Sequence, residues 1–600
     1  MLQTILHWIC KQMTSDSVSF LIALCIVLYL FLLTILHFRD IKHGKSAKLL
    51  PIFYCLPSLC IPLELAATYY HGNFGKWFSV YHGFLAACFF CGLIPLLWHG
   101  KKLDRIGTAA GFLAVTGCFY YFCFWTNSDQ FVTANFSGQS RTESFLSLTA
   151  EMERNYALSE WKQIDYPALR EKYLPLIEKA DQTNDDTAYL DALYQYITEF
   201  HDGHVNIFNG RSESLRTYFD YLSDSTDIPI HFGAMRLSTG EYAAVCSENA
   251  LTPRMKKLGL RSGTILTRWN DMPIADAAAQ IKLSPPAAGD LGLLENEEFI
   301  KPLYLSQTAA FTTKIGFLDA NGIERNLRIC DLFECNEFQE DAESAFSSYL
   351  MTNVTNQYLS DEEQCVAMLS DCCGYLCINH ESESFPKLRE ELERLAANGM
   401  TKLILDLRNN EGGKLLVGAE IASLFSPEKK LLAEIDGETY EITGECISDS
   451  LEIAVLVGTG CISCGEEIAY ALAPYENITT MGLTPTNGAS QPIGGKVLLS
   501  NSDFVVCYSI YQNLQPDGTP KIDCGAARAT RFAPEVRIPL TKEALEQIDQ
   551  RGEDYALFYA FEYLGEDLNK YRQQKELDER MEFIRWEQEF TAYTNEPDTE

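Results

Sequence analysis

The apolar positions change their period several times along the chain. Up to residue 129 they come in unbroken blocks. Val18–Phe38, Leu49–Tyr69, Trp77–Trp98 and Ile106–Trp125 are mostly apolar, and each has the roughly 20 residues a bilayer-spanning helix needs. The second block contains Pro51, Pro57, Pro62 and Glu64, defects that neighbouring helices absorb. Four such blocks exceed the needs of a globular core, and their repetition argues against a cleaved signal peptide. The pattern predicts an all-α, four-helix transmembrane anchor over 1–129 that touches the lipid bilayer.

Beyond it the period becomes helical. Leu146, Leu148, Met152 and Tyr156, then Tyr189, Leu193, Tyr196 and Ile197, recur at three- and four-residue steps. A helical subdomain is expected over 130–212, ending where "FHDGHVNIF" breaks the helix and starts a strand. Residues 213–330 read as a small β-rich module. "KKLGLRSGTILTRWNDMPIADA" supplies a helix end at Gly259, a turn at Ser262-Gly263, a strand from Thr264 to Trp269 and a tight Asn270-Asp271 turn. That run resembles the carboxylate-binding end of a PDZ domain, which implies Leu258, Gly259 and Leu260 as substrate-binding residues. A purely structural β-subdomain fits the same residues. Over 331–565 strands and helices alternate: "CGYLCIN", "FPKLREELERLAANGM", "KLILDLR", "KLLVGAEIASLF", "EIAVLVG", "EEIAYALA" and "ITTMGL". They predict a βα-layered core, followed by a charged helical tail over 566–600.

Charge divides the chain in the same place. The first 129 residues hold 9 Lys and Arg against 5 Asp and Glu, a net of +4. The remainder holds 39 against 77, a net of −38, a field that repels phosphate backbones and excludes a nucleic-acid partner. Arg39, Lys42, Lys45 and Lys48 follow the first apolar block, and Lys101, Lys102 and Arg105 follow the third, whereas Lys76 alone marks the other connection. The positive-inside rule then predicts a multi-pass cell-membrane protein with everything after residue 129 outside the cytoplasm. Twelve of the 20 cysteines lie beyond the anchor. An oxidising exterior would pair them, and a reducing one would leave them as small buried apolar groups.

Three segments carry candidate chemistry. "ILDLRNNEGG", Ile404–Gly413, ends a strand in charged groups and opens a helix with two glycines, which let backbone N–H groups approach a developing negative charge. "GTGCISCGEEIAYAL", Gly458–Leu472, places Ser463 on the next strand-to-helix turn. Its hydroxyl near a helix start suits a nucleophile, yet Ser463 followed by Glu466 also spells a capping box. "HDGH" holds His201 and His204, two of four histidines beyond the anchor, with His231 and His380. A turn-borne histidine suits a general base. A metal pair would need a third ligand that is not evident, so no metal or cofactor is expected. Cys461 and Cys464 also form a CxxC, the spacing of a redox pair.

In this order, "DGH", a PDZ-like insertion, "DLRNNEGG" and the serine turn resemble the C-terminal processing (tail-specific) and tricorn-core serine peptidase family. "PEVRIPL" and "RGEDYALFYAFEYL" resemble its closing strand and last helix. The resemblance covers about residues 140–565. It implies Ser463 as nucleophile, the amides of Cys464 and of Gly412 or Gly413 as oxyanion hole, and Asp406 and Arg408 as supports. Processing members use a lysine about 25 residues after the serine, but "GLTPTNGASQPIGGK" has Gly488 there and Lys496 comes too late. Tricorn-like members use the histidine of "DGH" instead, which implies His204 as base, with a displaced Lys496 as the alternative. An acidic residue late in the chain is also implied, with Asp523 the candidate and Asp517 or Glu535 as alternatives. The expected protein is a membrane-anchored serine endopeptidase acting on unfolded or C-terminally presented chains. Its rival is an inactive peptide-binding or sensing protein on the same fold, and a thiol–disulfide enzyme using Cys461 and Cys464 is a more distant one. Oligomeric state is not legible.

Overall fold

The computed structural model describes residues 133–208, 215, 217–218, 233–246, 251–282, 301–308, 312–332, 364–381, 385–435, 438–448, 450–500, 504–515, 519–521, 532–551 and 554–575. The four apolar blocks of 1–129 lie outside them. Among the described residues no helix is long and apolar enough to cross a membrane. The longest helix among the described residues, Tyr166–Thr183, carries Arg170, Glu171, Lys172, Glu178, Lys179 and Asp181 along its 18 residues, charges a bilayer interior does not accept. The expectation of a four-helix anchor, bilayer contact and multi-pass membrane location is corrected to what the described residues show, mixed α/β sheets with no membrane-crossing helix among them.

The chain first forms β1 (Ala134–Asn135), α1 (Arg141–Asn155), α2 (Ser159–Lys162), α3 (Tyr166–Thr183), α4 (Asp186–Thr198) and β2 (Asn206–Phe208). Side-chain caps start the long helices: Ser140 before α1, Asp165 before α3 and Asp185 before α4. Their apolar faces meet in an aromatic cluster around Phe145, Tyr173, Tyr196 and Phe200. An antiparallel module follows, with β3 (Gly233–Arg236), β4 (Tyr242–Val245), α5 (Pro253–Leu258), β5 (Ile265–Trp269), β6 (Met272–Pro273), α6 (Ile274–Ala279), β7 (Lys314–Leu318) and β8 (Glu324–Arg328). Its strand order is β3-β4-β5-β7-β8, with β6 paired to β5. Asn270 and Asp271 both take positive φ, 49° and 64°, as a tight hairpin turn demands.

The remaining elements are β9 (Gln364–Met368), β10 (Cys373–Ile378), α7 (Phe385–Ala397), β11 (Lys402–Asp406), α8 (Leu415–Ser423), β12 (Lys430–Ile435), β13 (Glu438–Ile442), β14 (Glu452–Leu456), α9 (Cys464–Leu472), β15 (Ile478–Gly482), β16 (Ile493–Leu498), β17 (Val505–Ser509), β18 (Val536–Arg537), α10 (Lys542–Arg551) and α11 (Tyr555–Tyr563). The main sheet runs β18-β15-β14-β11-β10-β9, parallel throughout except for β9. Both of its faces are covered, which is why its strands read as unbroken apolar runs. Leu403, Leu405, Ile453 and Val455 pack under α7, α8 and α9. Ile404, Ala454 and Leu456 pack under α10, α11 and residues of β3 and β4. A second sheet, β1-β16-β17-β2, joins segments more than 290 residues apart and closes over the aromatic cluster. Because β11 and β14 are parallel neighbours, the turns after them emerge side by side at the carboxyl ends of the strands, where open α/β sheets place their sites.

Candidate active site

The turn after β11 is rigid because its charges are buried and paired. Asp406 accepts from the Tyr375 hydroxyl at 2.9 Å and from Arg408 Nε and Nη2 at 3.0 and 2.6 Å. Arg408 also grips Asp554, which caps α11, at 2.8 and 2.6 Å. Burial works against the guanidinium charge, but the two flanking carboxylates outweigh it and hold Arg408 firmly protonated. Beyond this triad the loop folds on the Asn410 side chain. Its Nδ2 donates to Ile378 O at 3.0 Å and Glu381 Oε1 at 2.8 Å, and its Oδ1 accepts the Gly412 N–H at 2.8 Å. Gly412 sits at φ 86°, and a Cβ there would lie 2.6 Å from Ser463 Cβ. Only glycine permits that approach.

Ser463 takes φ 59° and ψ −125°, a strained conformation for a residue with a side chain, at the start of α9. Its hydroxyl makes no capping bond. Glu466 turns elsewhere: fully buried, it accepts the N–H of Gly488 at 2.8 Å and of Ala489 at 2.9 Å. Burial raises its carboxyl to about 7, although these bonds and one from Thr486 pull it down. The 487–489 segment is thereby clamped to the serine turn. Ser463 N donates to Ala489 O and Asn487 N to Cys461 O, both at 2.9 Å. The sharp strand–Ser–helix turn is the device that presents a nucleophile at a sheet edge.

His204 arrives at the same segment from the other side. A Cβ on Gly203 would meet Asn487 Oδ1 at 2.4 Å and Ile462 Cδ1 at 3.0 Å, so the turn is pressed against the residue preceding Ser463. His204 is buried, its Nδ1 lies 2.5 Å from Gln491 O, and its N–H donates to Asp202 Oδ1 at 2.9 Å. Asp202 is itself held by the Tyr156 hydroxyl at 2.6 Å. A carbonyl only accepts, so Nδ1 carries the proton and Nε2 keeps its lone pair. Burial lowers the imidazole pKa, with Asp202 and Gln491 acting in the opposite direction. The ring is thus held neutral, in the tautomer a base needs.

Cys464 and Cys461 are free, buried thiols pushed well above their usual range by burial, unsuited to thiolate chemistry. Cys464 packs on Gly418 of α8, where a Cβ would meet its sulfur at 2.2 Å. Lys496 lies on β16 opposite Cys507. Leu258 and Gly259 end α5, where the Gly259 and Leu260 amides donate to Lys256 O and Met255 O, and Leu260 is fully buried. Glu535 is exposed beside β18. Asp523 and Asp517 lie outside the described residues. Three supports had little sequence signal: Gln491 acts through its backbone carbonyl, Asp554 is 146 positions from Arg408, and Glu381 sits in a polar stretch that reads as loop. Asn410 stood in the quoted motif but had no evident partner.

Residues 373–526, which include both turns after β11 and β14, match the family model of Peptidase family S41. The chain is 32% identical over 114 residues to the carboxyl-terminal-processing protease of Synechocystis sp., covering 18% of this chain and 26% of that protein. It is 25% identical over 156 residues to a probable CtpA-like serine protease of Staphylococcus aureus, covering 24% and 30%. The matches thus span between about a quarter and a third of the length of these relatives. Among solved structures, the photosystem II D1 C-terminal processing protease is similar over 70% of this chain and 100% of its own, at 15% identity and a TM-score of 0.32. Mature CPAF complexed with lactacystin is similar over 70% and 96%, at 13% identity and a TM-score of 0.45. The stretch of chain that carries Ser463 is thus similar to Peptidase family S41 and to carboxyl-terminal-processing proteases.

Proposed function

We propose that the whole chain is a serine endopeptidase using Ser463 and His204. Ser463 Oγ attacks the scissile carbonyl while His204 Nε2 takes its proton. The tetrahedral oxyanion is received by the N–H groups of Cys464, at the positive end of α9, and of Gly413. Gly412 is the less suitable donor, because its N–H is directed to Asn410. Collapse breaks the C–N bond, His204 delivers the proton to the leaving amine, and water attacks the acyl-enzyme by the same route in reverse. Asp523, late in the chain, is the proposed acidic partner. The antiparallel β3–β8 module presents unfolded or C-terminal segments by adding them as an extra strand.

One observation carries this reading. The 487–491 segment binds both candidates, accepting Ser463 N at Ala489 and His204 Nδ1 at Gln491. It brings together residues more than 250 positions apart. The test is labelling of the purified full chain by a fluorophosphonate serine probe. Labelling lost in both Ser463→Ala and His204→Ala is the expected result. Labelling that persists in folded Ser463→Ala overturns the nucleophile, and labelling that persists at full rate in His204→Ala overturns the base.

A further inference from the structure

Glu381, just after β10, is a buried acid that the Ser–His reading leaves without a task. It is 1% exposed. Its backbone brackets Gly413, donating to Gly412 O at 3.3 Å and accepting from Lys414 N at 3.4 Å. A Cβ on Gly413 would meet Glu381 N and O at 2.8 Å. Its side chain reaches the other end of the same loop, where Oε1 accepts from Asn410 Nδ2. Oε2 is buried and, among the described residues, has no hydrogen-bond partner. The adjoining His380 favours the charged form of Glu381, but less than burial opposes it. The Cys461 and Cys464 thiols face it from the serine turn, His380 adjoins it in the chain, and Glu411 and Lys414 on the facing loop are exposed to solvent.

A carboxylate so placed costs folding free energy that an apolar residue would not. Its side chain bonds to Asn410, and that bond has a consequence. With Nδ2 committed to Ile378 O and Glu381, the Asn410 amide must point Oδ1 at Gly412 N–H. That contact sets the Gly412–Gly413 peptide against Ser463. We propose that Glu381 is a positioning residue for the oxyanion-binding loop, acting through Asn410, with a grip that depends on its own ionisation. The ionised carboxylate makes the stronger, charge-assisted bond to Nδ2, and protonation weakens it. Burial raises the Glu381 carboxyl to about 7, with Asn410 pulling it down. Loop order, and with it turnover, accordingly rises as pH increases through the neutral range. Burial shifts the His204 titration downward, away from that of Glu381.

The effect on rate rests on the peptidase reading, whereas the effect on the loop does not, so both are measured on the full chain. Hydrogen–deuterium exchange over residues 409–414, corrected for intrinsic rate, is followed from pH 6 to 8 beside hydrolysis of unstructured casein. Glu381→Met is expected to speed exchange in this loop and to lower kcat about 10- to 100-fold with KM nearly unchanged, the scale of a misplaced reacting group. Glu381→Gln can still accept from Asn410, so it should restore most of the turnover but lose the rise between pH 6 and 8. Unchanged loop exchange in Glu381→Met, or a wild-type pH rise in Glu381→Gln, overturns the proposal. Loosened exchange in a chain that hydrolyses nothing supports the positioning role and counts against the peptidase reading. If Glu381→Met does not fold, the pH profile of Glu381→Gln decides.

Discussion

Two serines in this chain stand three residues before a glutamate at the start of a helix, and they do opposite things. Ser140 and Glu143 form a complete capping box before α1: Ser140 Oγ accepts Glu143 N at 3.2 Å, and Glu143 Oε2 accepts Ser140 N at 3.1 Å. The backbone there is extended, with φ −64° and ψ 164°. Ser463 and Glu466 have the same spacing before α9, yet neither side chain caps. The backbone is twisted into positive φ, and Glu466 holds the 488–489 amides instead. The first pair satisfies its own helix. The second keeps the serine hydroxyl off its own helix and uses the glutamate to fix a distant loop. An S-x-x-E pattern therefore reports a helix start, while burial and the neighbouring loop decide whether the serine is spent on it.

The comparison breaks most visibly at the glutamates. Glu466→Ala removes the acceptor of two buried amides, and should cost roughly 2–4 kcal/mol and about 100-fold in activity as the Ser463 turn relaxes. Glu143→Ala, on an exposed pair, should leave activity unchanged. Casein hydrolysis and thermal unfolding of both variants measure the contrast, and equal losses would mean that Glu466 is only a cap. A medium effect lies in pH dependence. Glu466 keeps its proton to about 7 in the fold, whereas the unfolded chain releases it near the usual glutamate value. Its contribution to stability is therefore full below about pH 4.5 and declines as pH rises to about 7, by the order of 3 kcal/mol. Melting at pH 5 and 7.5 should show a smaller pH difference in Glu466→Gln than in the wild type. The smallest effect is expected of Ser140→Ala. It should lower stability by about 1 kcal/mol, the ordinary worth of an N-cap, with turnover unaltered. A turnover loss there would undo the contrast.

The same contrast explains what could be read in advance. Strands such as Lys402–Asp406 and Glu452–Leu456 are short apolar runs because both faces of their sheet are covered, and that pattern is local. The glycines at 412 and 413 were legible because a turn before a helix marks a backbone that must be approached closely. The roles of Glu381, Gln491 and Asp554 were not legible. Each depends on a partner from 29 to 287 positions away, and in Gln491 the acting group is a carbonyl common to every residue. At Leu258–Leu260 the fold adds what the sequence did not show, a Leu-Gly-Leu that ends its helix as an αL cap with the Gly259 and Leu260 amides used on the helix.

By itself, then, the sequence determined the alternation of strands and helices after residue 364, the serine on the turn after β14 and the glycine pair on the turn after β11. All of these follow from short-range periodicity and backbone preference. The tertiary structure alone decided that these turns are neighbours, that Ser463 is twisted out of its cap, and that His204 shares one loop with it. Those outcomes depend on the parallel pairing of β11 with β14 and on β2 joining β17. Such contacts become favourable only when the whole core has packed, so no local stretch of chain encodes them.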